Sequence, residues 1–118
     1  MDESKDLLKT VVKAADNKRA ENIIALNVQK ISFLSDYFVI MQADSERQVK
    51  AIAENIEEEA AKNNYDVRDV EGKNNANWVL IDLGDVIVHI FKPETRQFYN
   101  LEKLWSDADD VDISEWIK

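Results

Sequence analysis

The sequence predicts a single α/β (α+β) domain, with a mixed β-sheet of about five strands flanked by helices. Three observations predict it. Two segments repeat apolar residues at helical spacing, two runs of β-branched and aromatic residues are joined by Gly84-Asp85, and 118 residues suit one core rather than two. Three Trp, three Tyr, four Phe and long aliphatic runs exclude a disordered chain, although 33% of the residues are charged.

Leu7, Leu8, Val11, Val12 and Ala15 recur at i, i+4 and i+8, which predicts an amphipathic helix over residues 4–16. Ser4 is its candidate N-cap, and Asp2 and Glu3 suit the positive end of its dipole. Glu21–Val28 holds Ile23, Ile24, Ala25 and Leu26 and reads as a buried strand, Ser32–Asp36 as a turn, and Tyr37–Ala43 as a second strand. Ser45 and Gln48 form a capping box ahead of Val49, Ile52, Ala53, Ile56 and Ala60, a second helix that Asn63 and Asn64 can end in left-handed geometry. Glu57, Glu58 and Glu59 lie near the end of that helix, where its dipole disfavours acid, and read as a solvated face. Asp66–Val70 is a short, weak strand.

Trp78–Leu83 and Val86–Phe91 are strong strands, and Gly84-Asp85 between them is a two-residue hairpin of the Gly-first type. That loop fixes the register: Asp82 opposite Ile87, Ile81 opposite Val88, Leu80 opposite His89, Val79 opposite Ile90 and Trp78 opposite Phe91. Alternation then separates the faces. Val79, Ile81, Leu83, Val86, Val88 and Ile90 make an aliphatic face suited to helices. Trp78, Leu80, Asp82, Ile87, His89 and Phe91 make a mixed face, which either packs with its polar groups satisfied or meets a partner. Pro93 ends the second strand and suits the first turn of a helix near Glu94–Tyr99, and Leu101, Leu104 and Trp105 form another apolar stripe. The acidic tail from Ser106 keeps Val111, Ile113, Trp116 and Ile117; it either docks as a short helix after Asp112 or stays mobile.

Composition removes whole classes of chemistry. Without Cys there is no disulfide, thiolate metal site or Cys nucleophile, and one His excludes a multi-histidine metal centre. No apolar run approaches the ~20 residues that cross a bilayer, and the N-terminal residues lack the character of a signal or transit peptide, so a cytoplasmic protein without membrane contact is expected. The net charge is −9, and residues 51–100 alone carry ten acidic against five basic side chains. No stretch forms a basic footprint, so direct nucleic-acid binding is disfavoured and a basic protein partner is easier to accommodate. His89 could be combined on paper with Asp82 or Asp85 and a Ser, but there is no Gly-x-Ser-x-Gly elbow, and a lone strand His is more often structural. The Asp-x-Asp spacings at Asp107/Asp109 and Asp110/Asp112 lie in the acidic tail without a phosphate-binding loop, and two glycines cannot write a P-loop or dinucleotide fingerprint. No enzymatic activity, cofactor or metal is expected.

The succession SDYFVI (35–40), SERQVKAIA (45–53), EG (71–72), WVLIDLGDVIVHIF (78–91) and R-x-x-YNLEKLW (96–105) resembles the ribosomal silencing factor family, RsfS/Iojap/YbeB. The resemblance spans roughly residues 5–106, which divides the chain into a silencing-factor domain (1–106) and an acidic C-terminal tail (107–118). It implies a nucleotidyltransferase-like fold without catalytic residues. It also implies a non-enzymatic regulator that binds the large ribosomal subunit through ribosomal protein L-fourteen, blocks joining of the small subunit and represses translation when nutrients are scarce. Isolated family members often form homodimers. Carried over by position, the partner surface includes Trp78, Leu83 at the hairpin tip and Lys103, with Asp82, Asp85, His89, Tyr99, Leu104 and Trp105 as secondary candidates. Aromatic or aliphatic anchors ringed by charge are how interfaces concentrate their energy. Leu104 and Trp105 lie on an amphipathic stripe and read as core before contact, and Gly84 and Asp85 serve the turn in any case. The rival readings are a nucleotidyltransferase-related enzyme that retains nucleotide or metal binding, and a large-subunit assembly adaptor without anti-association activity.

Overall fold

The first helical stripe becomes α1 (Glu3–Asn17), the opening element of a computed structural model that describes residues 3–33 and 35–118. β1 (Glu21–Asn27), β2 (Tyr37–Gln42), α2 (Glu46–Lys62), β3 (Asp69–Glu71), β4 (Trp78–Asp82) and β5 (Val86–Phe91) follow, then α3 (Pro93–Tyr99), α4 (Leu101–Leu104) and β6 (Asp109–Val111). The sheet is mixed, in the order β3-β4-β5-β2-β1-β6, with β2 and β5 parallel and the other neighbours antiparallel.

The β4–β5 register is the one the two-residue loop dictates, from Trp78 opposite Phe91 to Asp82 opposite Ile87. Gly84 turns with φ +85°, as a Gly-first hairpin requires. The aliphatic face packs against both long helices: Val79, Ile81, Val88 and Ile90 join Leu8, Val11, Val12, Ile52 and Ile56 in one core. A smaller cluster of Leu26, Val28, Ile40 and Phe91 lies on the other face, covered by Leu101, Trp105 and Ala108. The sheet is therefore fully covered on one side and half covered on the other.

Several local expectations shift. Ser4 lies inside α1 and is buried, because the helix begins at Glu3; Asp2 is outside the described residues. Within the expected Ser32–Asp36 turn, Leu34 is likewise outside them. Ser45 caps α2 by accepting from the Gln48 backbone N–H, but the Gln48 side chain donates to the Lys18 carbonyl instead of closing the capping box. The cap thereby ties α2 to the end of α1. Asn64 takes left-handed backbone after α2, with φ 66°. Of the glutamate run only Glu58 is fully exposed, and Glu57 and Glu59 are half-buried: Lys62 bridges Glu58 and Glu59, while Glu57 holds Lys73 at 2.7 Å. The weak strand is shorter than its composition suggests, starting three residues later and ending one later, at Asp69–Glu71.

The largest difference lies in the tail. It neither forms a docked helix nor hangs free, but adds β6 as a sixth strand, pairing Ala25 with Val111 and Asn27 with Asp109. Ile113 then enters the helix-side core, and the Lys118 backbone N–H donates to Asp16 Oδ2 at 2.9 Å. An edge strand presents unpaired backbone groups, and β6 supplies partners for those of β1.

Candidate partner-binding site

The expected site residues fall into three groups set by the strand geometry. Trp78 begins β4, so Asp82 at the tip end of the strand lies about 13 Å away at the strand rise of ~3.3 Å per residue. Trp78, His89 and Tyr99 meet at the first end; Asp82, Leu83 and Asp85 lie at the tip; Lys103, Leu104 and Trp105 lie on or just after α4.

At the first end the Trp78 indole Nε1–H donates to His89 Nδ1 at 3.1 Å. Trp78 also packs on Phe91 and Tyr99, with ring centroids 5.0 and 4.7 Å away. His89 is buried, and burial lowers its pKa from 6.5 to about 4, so it is a neutral imidazole whose acceptor nitrogen is engaged by tryptophan. Among the described residues no carboxylate bonds to it, and the triad with Asp82 or Asp85 is not assembled. His89 forms the floor of this region rather than its surface.

The tip departs from expectation at Leu83. Alternation directs this side chain to the helices, and it is 6% exposed within the main core, so a surface contact there is corrected to a buried support for the turn. Asp85 is the exposed residue of the tip, and Asp82 Oδ1 accepts from the Gly84 N–H at 2.8 Å. The Asp85 carbonyl receives the Asp36 and Tyr37 N–H groups at 2.8 and 3.1 Å, joining the tip to the start of β2.

α4 divides its residues sharply. Trp105, half-buried, meets Phe38 edge-on at 4.8 Å, whereas Leu104 is 72% exposed and Lys103 is exposed. Trp105 is thus the core half of the stripe and Leu104 its open half. The sheet face beside α4 stays partly uncovered, leaving Trp78, Leu80 and Ile87 half-buried.

Five further residues contribute beyond the expected site residues. Phe98 is 80% exposed beside Tyr99, with ring centroids 5.0 Å apart; a seven-residue helix is too short to show which side is wet. Leu80 and Ile87, half-buried on the mixed face, lie outside the set of expected site residues. Arg96 is buried and binds Glu102 through Nε and Nη2, both at 3.1 Å, the Asn22 carbonyl at 2.8 Å and Gln42 Oε1 at 3.2 Å. It fixes α3 and α4 to the ends of β1 and β2, and Asn100 makes the bend between the two helices with φ 48°. Gly72 shapes the loop before Trp78: its φ is +89°, and a Cβ there would lie 2.0 Å from the Trp78 carbonyl oxygen. Only glycine allows that approach.

Charge around this face is negative. Asp69 lies directly opposite Asp82 across the β3–β4 ladder, and Glu71 opposite Leu80. Asp69 raises the Glu71 carboxyl above its usual range, through a shared hydrogen bond and charge repulsion. Among the described residues, no three His, Asp or Glu side chains converge as metal ligands, and no helix is long and apolar enough to cross a membrane.

A family model described as "Ribosomal silencing factor during starvation" matches residues 1–118, the tail included. A Bacillus subtilis protein named Ribosomal silencing factor RsfS is 49% identical over 109 residues, 92% of each chain. A crystal structure of a Bacillus halodurans protein matches with a TM-score of 0.82 at 44% identity, covering 92% of this chain and 98% of that one. A mouse protein named Mitochondrial assembly of ribosomal large subunit protein 1 is 31% identical over 93 residues, 75% of this chain and 40% of its own length.

Proposed function

This chain belongs to the ribosomal silencing factor family, and from that premise we propose that it binds the large ribosomal subunit through ribosomal protein L-fourteen and sterically blocks joining of the small subunit. The observation that carries the proposal is the half-covered sheet face. Trp78, Leu80 and Ile87 lie half-buried beside the exposed Tyr99, Lys103 and Leu104, and the buried His89 holds the Trp78 indole from beneath. Aromatic anchors on a fixed floor lose little side-chain freedom on docking, which is why such residues dominate binding energy. Asp82 and Asp85 at the tip add charges facing a basic partner. The net charge of −9 opposes ribosomal RNA and favours a protein of the particle.

The mode of action is occupancy rather than catalysis, in the cytoplasm and without a cofactor. The homodimer of the free protein would use the same apolar face, and large-subunit binding would then compete with it. The mouse relative's name favours a second reading, an assembly adaptor on the large subunit. A subunit-joining assay separates the two: light scattering of mixed subunits with and without the protein. Suppressed joining supports silencing; unimpeded joining with retained large-subunit binding selects the adaptor. Nucleoside triphosphate and magnesium calorimetry tests the enzymatic rival, and robust binding would overturn the occupancy reading.

A further inference from the structure

An open groove of about 640 Å³ lies between the loop before β4 and one side of α3. Trp78, Phe98 and Tyr99 supply its apolar lining, Asn75 and Asn77 its amides, and Glu94 its charge. The helix makes this combination: Glu94 and Phe98 are four residues apart, as are Thr95 and Tyr99, so the carboxylate and the rings share one side of α3. The opposite wall is held by the Gly72 turn, closed by the Ala76 N–H donating to the Gly72 carbonyl at 3.0 Å. No Lys or Arg lines the groove, and the loop's own cation, Lys73, is engaged by Glu57 at 2.7 Å. Among the described residues Glu94 has no ion-pair partner.

We infer that this groove receives a cationic side chain, arginine or lysine, from a basic protein segment, held over the aromatic rings and paired with Glu94. The inference rests on the proposed function and deepens it by naming the chemistry of the partner at this face. An aliphatic anchor would fit three rings alone but would desolvate the Glu94 carboxylate without compensation. A cation answers both features, because the faces of Trp and Tyr rings attract positive charge and the carboxylate neutralises it. Guanidinium suits the site better than ammonium, since its planar group can stack on a ring while its edge N–H groups reach Glu94 and the asparagine amides. Phe98, 80% exposed, would become covered only when such a segment is bound.

The test is an NMR titration of the full chain with an arginine–glycine peptide and with the same peptide carrying citrulline, which keeps the planar shape but not the charge. The arginine peptide should shift the Trp78, Phe98 and Tyr99 ring signals and leave Trp116 unmoved. Citrulline, Glu94→Lys and Phe98→Ala should each weaken binding by about fivefold or more, while Glu54→Lys on α2, the same charge change on the opposite face, should alter it by less than about twofold. Equal binding of the citrulline peptide would overturn the inference in favour of uncharged stacking, and equal losses from Glu94→Lys and Glu54→Lys would overturn it in favour of general electrostatics. Pelleting with purified large subunits separates this result from the proposed function. If the peptide seats in the groove but the chain does not pellet, the proposed function fails and the groove stands. If the chain pellets and Glu94→Lys and Phe98→Ala pellet like wild type, the groove inference fails alone.

Discussion

Trp78 Nε1 and His89 Nδ1 are joined at 3.1 Å, diagonally across the β4–β5 ladder, between residues whose register partners are Phe91 and Leu80. The bond requires the imidazole to be unprotonated at Nδ1, and burial enforces that by lowering its pKa to about 4. The anchor of the candidate site is therefore oriented by a neutral histidine.

That neutrality predicts a pH dependence. The unfolded chain binds a proton on this residue near its ordinary 6.5, whereas the native chain does so only near 4. The contribution to stability is complete above about 6.5 and is lost as pH falls toward 4, by up to about 1.4 kcal/mol per pH unit. Replacing His89 with Gln keeps an acceptor for Trp78 and removes the titration. Urea unfolding at several pH values from about 7 to 5 should show wild type losing stability faster than His89→Gln, and parallel curves would show that His89 is not held neutral by the fold.

Arg96 should be the most sensitive polar position. Removing its side chain leaves Glu102, Gln42 and the Asn22 carbonyl without their shared donor in a largely buried setting. Arg96→Ala should cost about 2–4 kcal/mol in denaturant unfolding. Arg96→Met combined with Glu102→Leu removes the charges together and should recover at least half of that loss; a double variant as unstable as Arg96→Ala would refute the pairing argument.

The two glycines should differ. Gly72→Ala places a methyl 2.0 Å from the backbone oxygen of Trp78, where nothing flexible can yield, and should cost more than about 2 kcal/mol. At Gly84 the added methyl meets the Arg68 guanidinium at 2.9 Å, which can swing away, leaving mainly the cost of positive φ, about 1 kcal/mol. Melting temperatures of the two variants decide this, and equal losses would mean that the loop before Trp78 relaxes.

The C-terminal strand should behave as part of the fold. Ile113→Ala is expected to cost about 2 kcal/mol, and truncation of residues 107–118 should remove hydrogen-exchange protection from β1 amides facing β6 while raising aggregation at the opened edge. Unchanged β1 protection after truncation would show that β6 is dispensable.

For the partner surface, Lys103→Glu alters an exposed side chain and should weaken large-subunit pelleting with an unchanged melting curve. Trp78→Ala should also weaken pelleting, and because Trp78 packs on Phe91 and His89 it should lower stability by about 2–3 kcal/mol. If both variants pellet like wild type, the contact surface lies elsewhere.

The sequence by itself determined what short-range geometry controls. A two-residue Gly-Asp loop admits one register, so the pairing of Trp78 with Phe91 and the all-aliphatic helix side of the hairpin could be read directly. Helical spacing located α1 and α2 in the same way, and the order of motifs identified the family. Tertiary structure decided the rest. Asp109–Val111 carries no periodicity, and only the open edge of β1 makes it a strand. Arg96 and Glu102 are six residues apart, a spacing that becomes a contact only because Asn100 bends the chain between two short helices. How much of the mixed face is covered depended on how far α4 reaches across it. It covers Ile40 and Phe91 and stops short of Trp78, Leu80 and Ile87, an outcome set by long-range packing that no local pattern encodes.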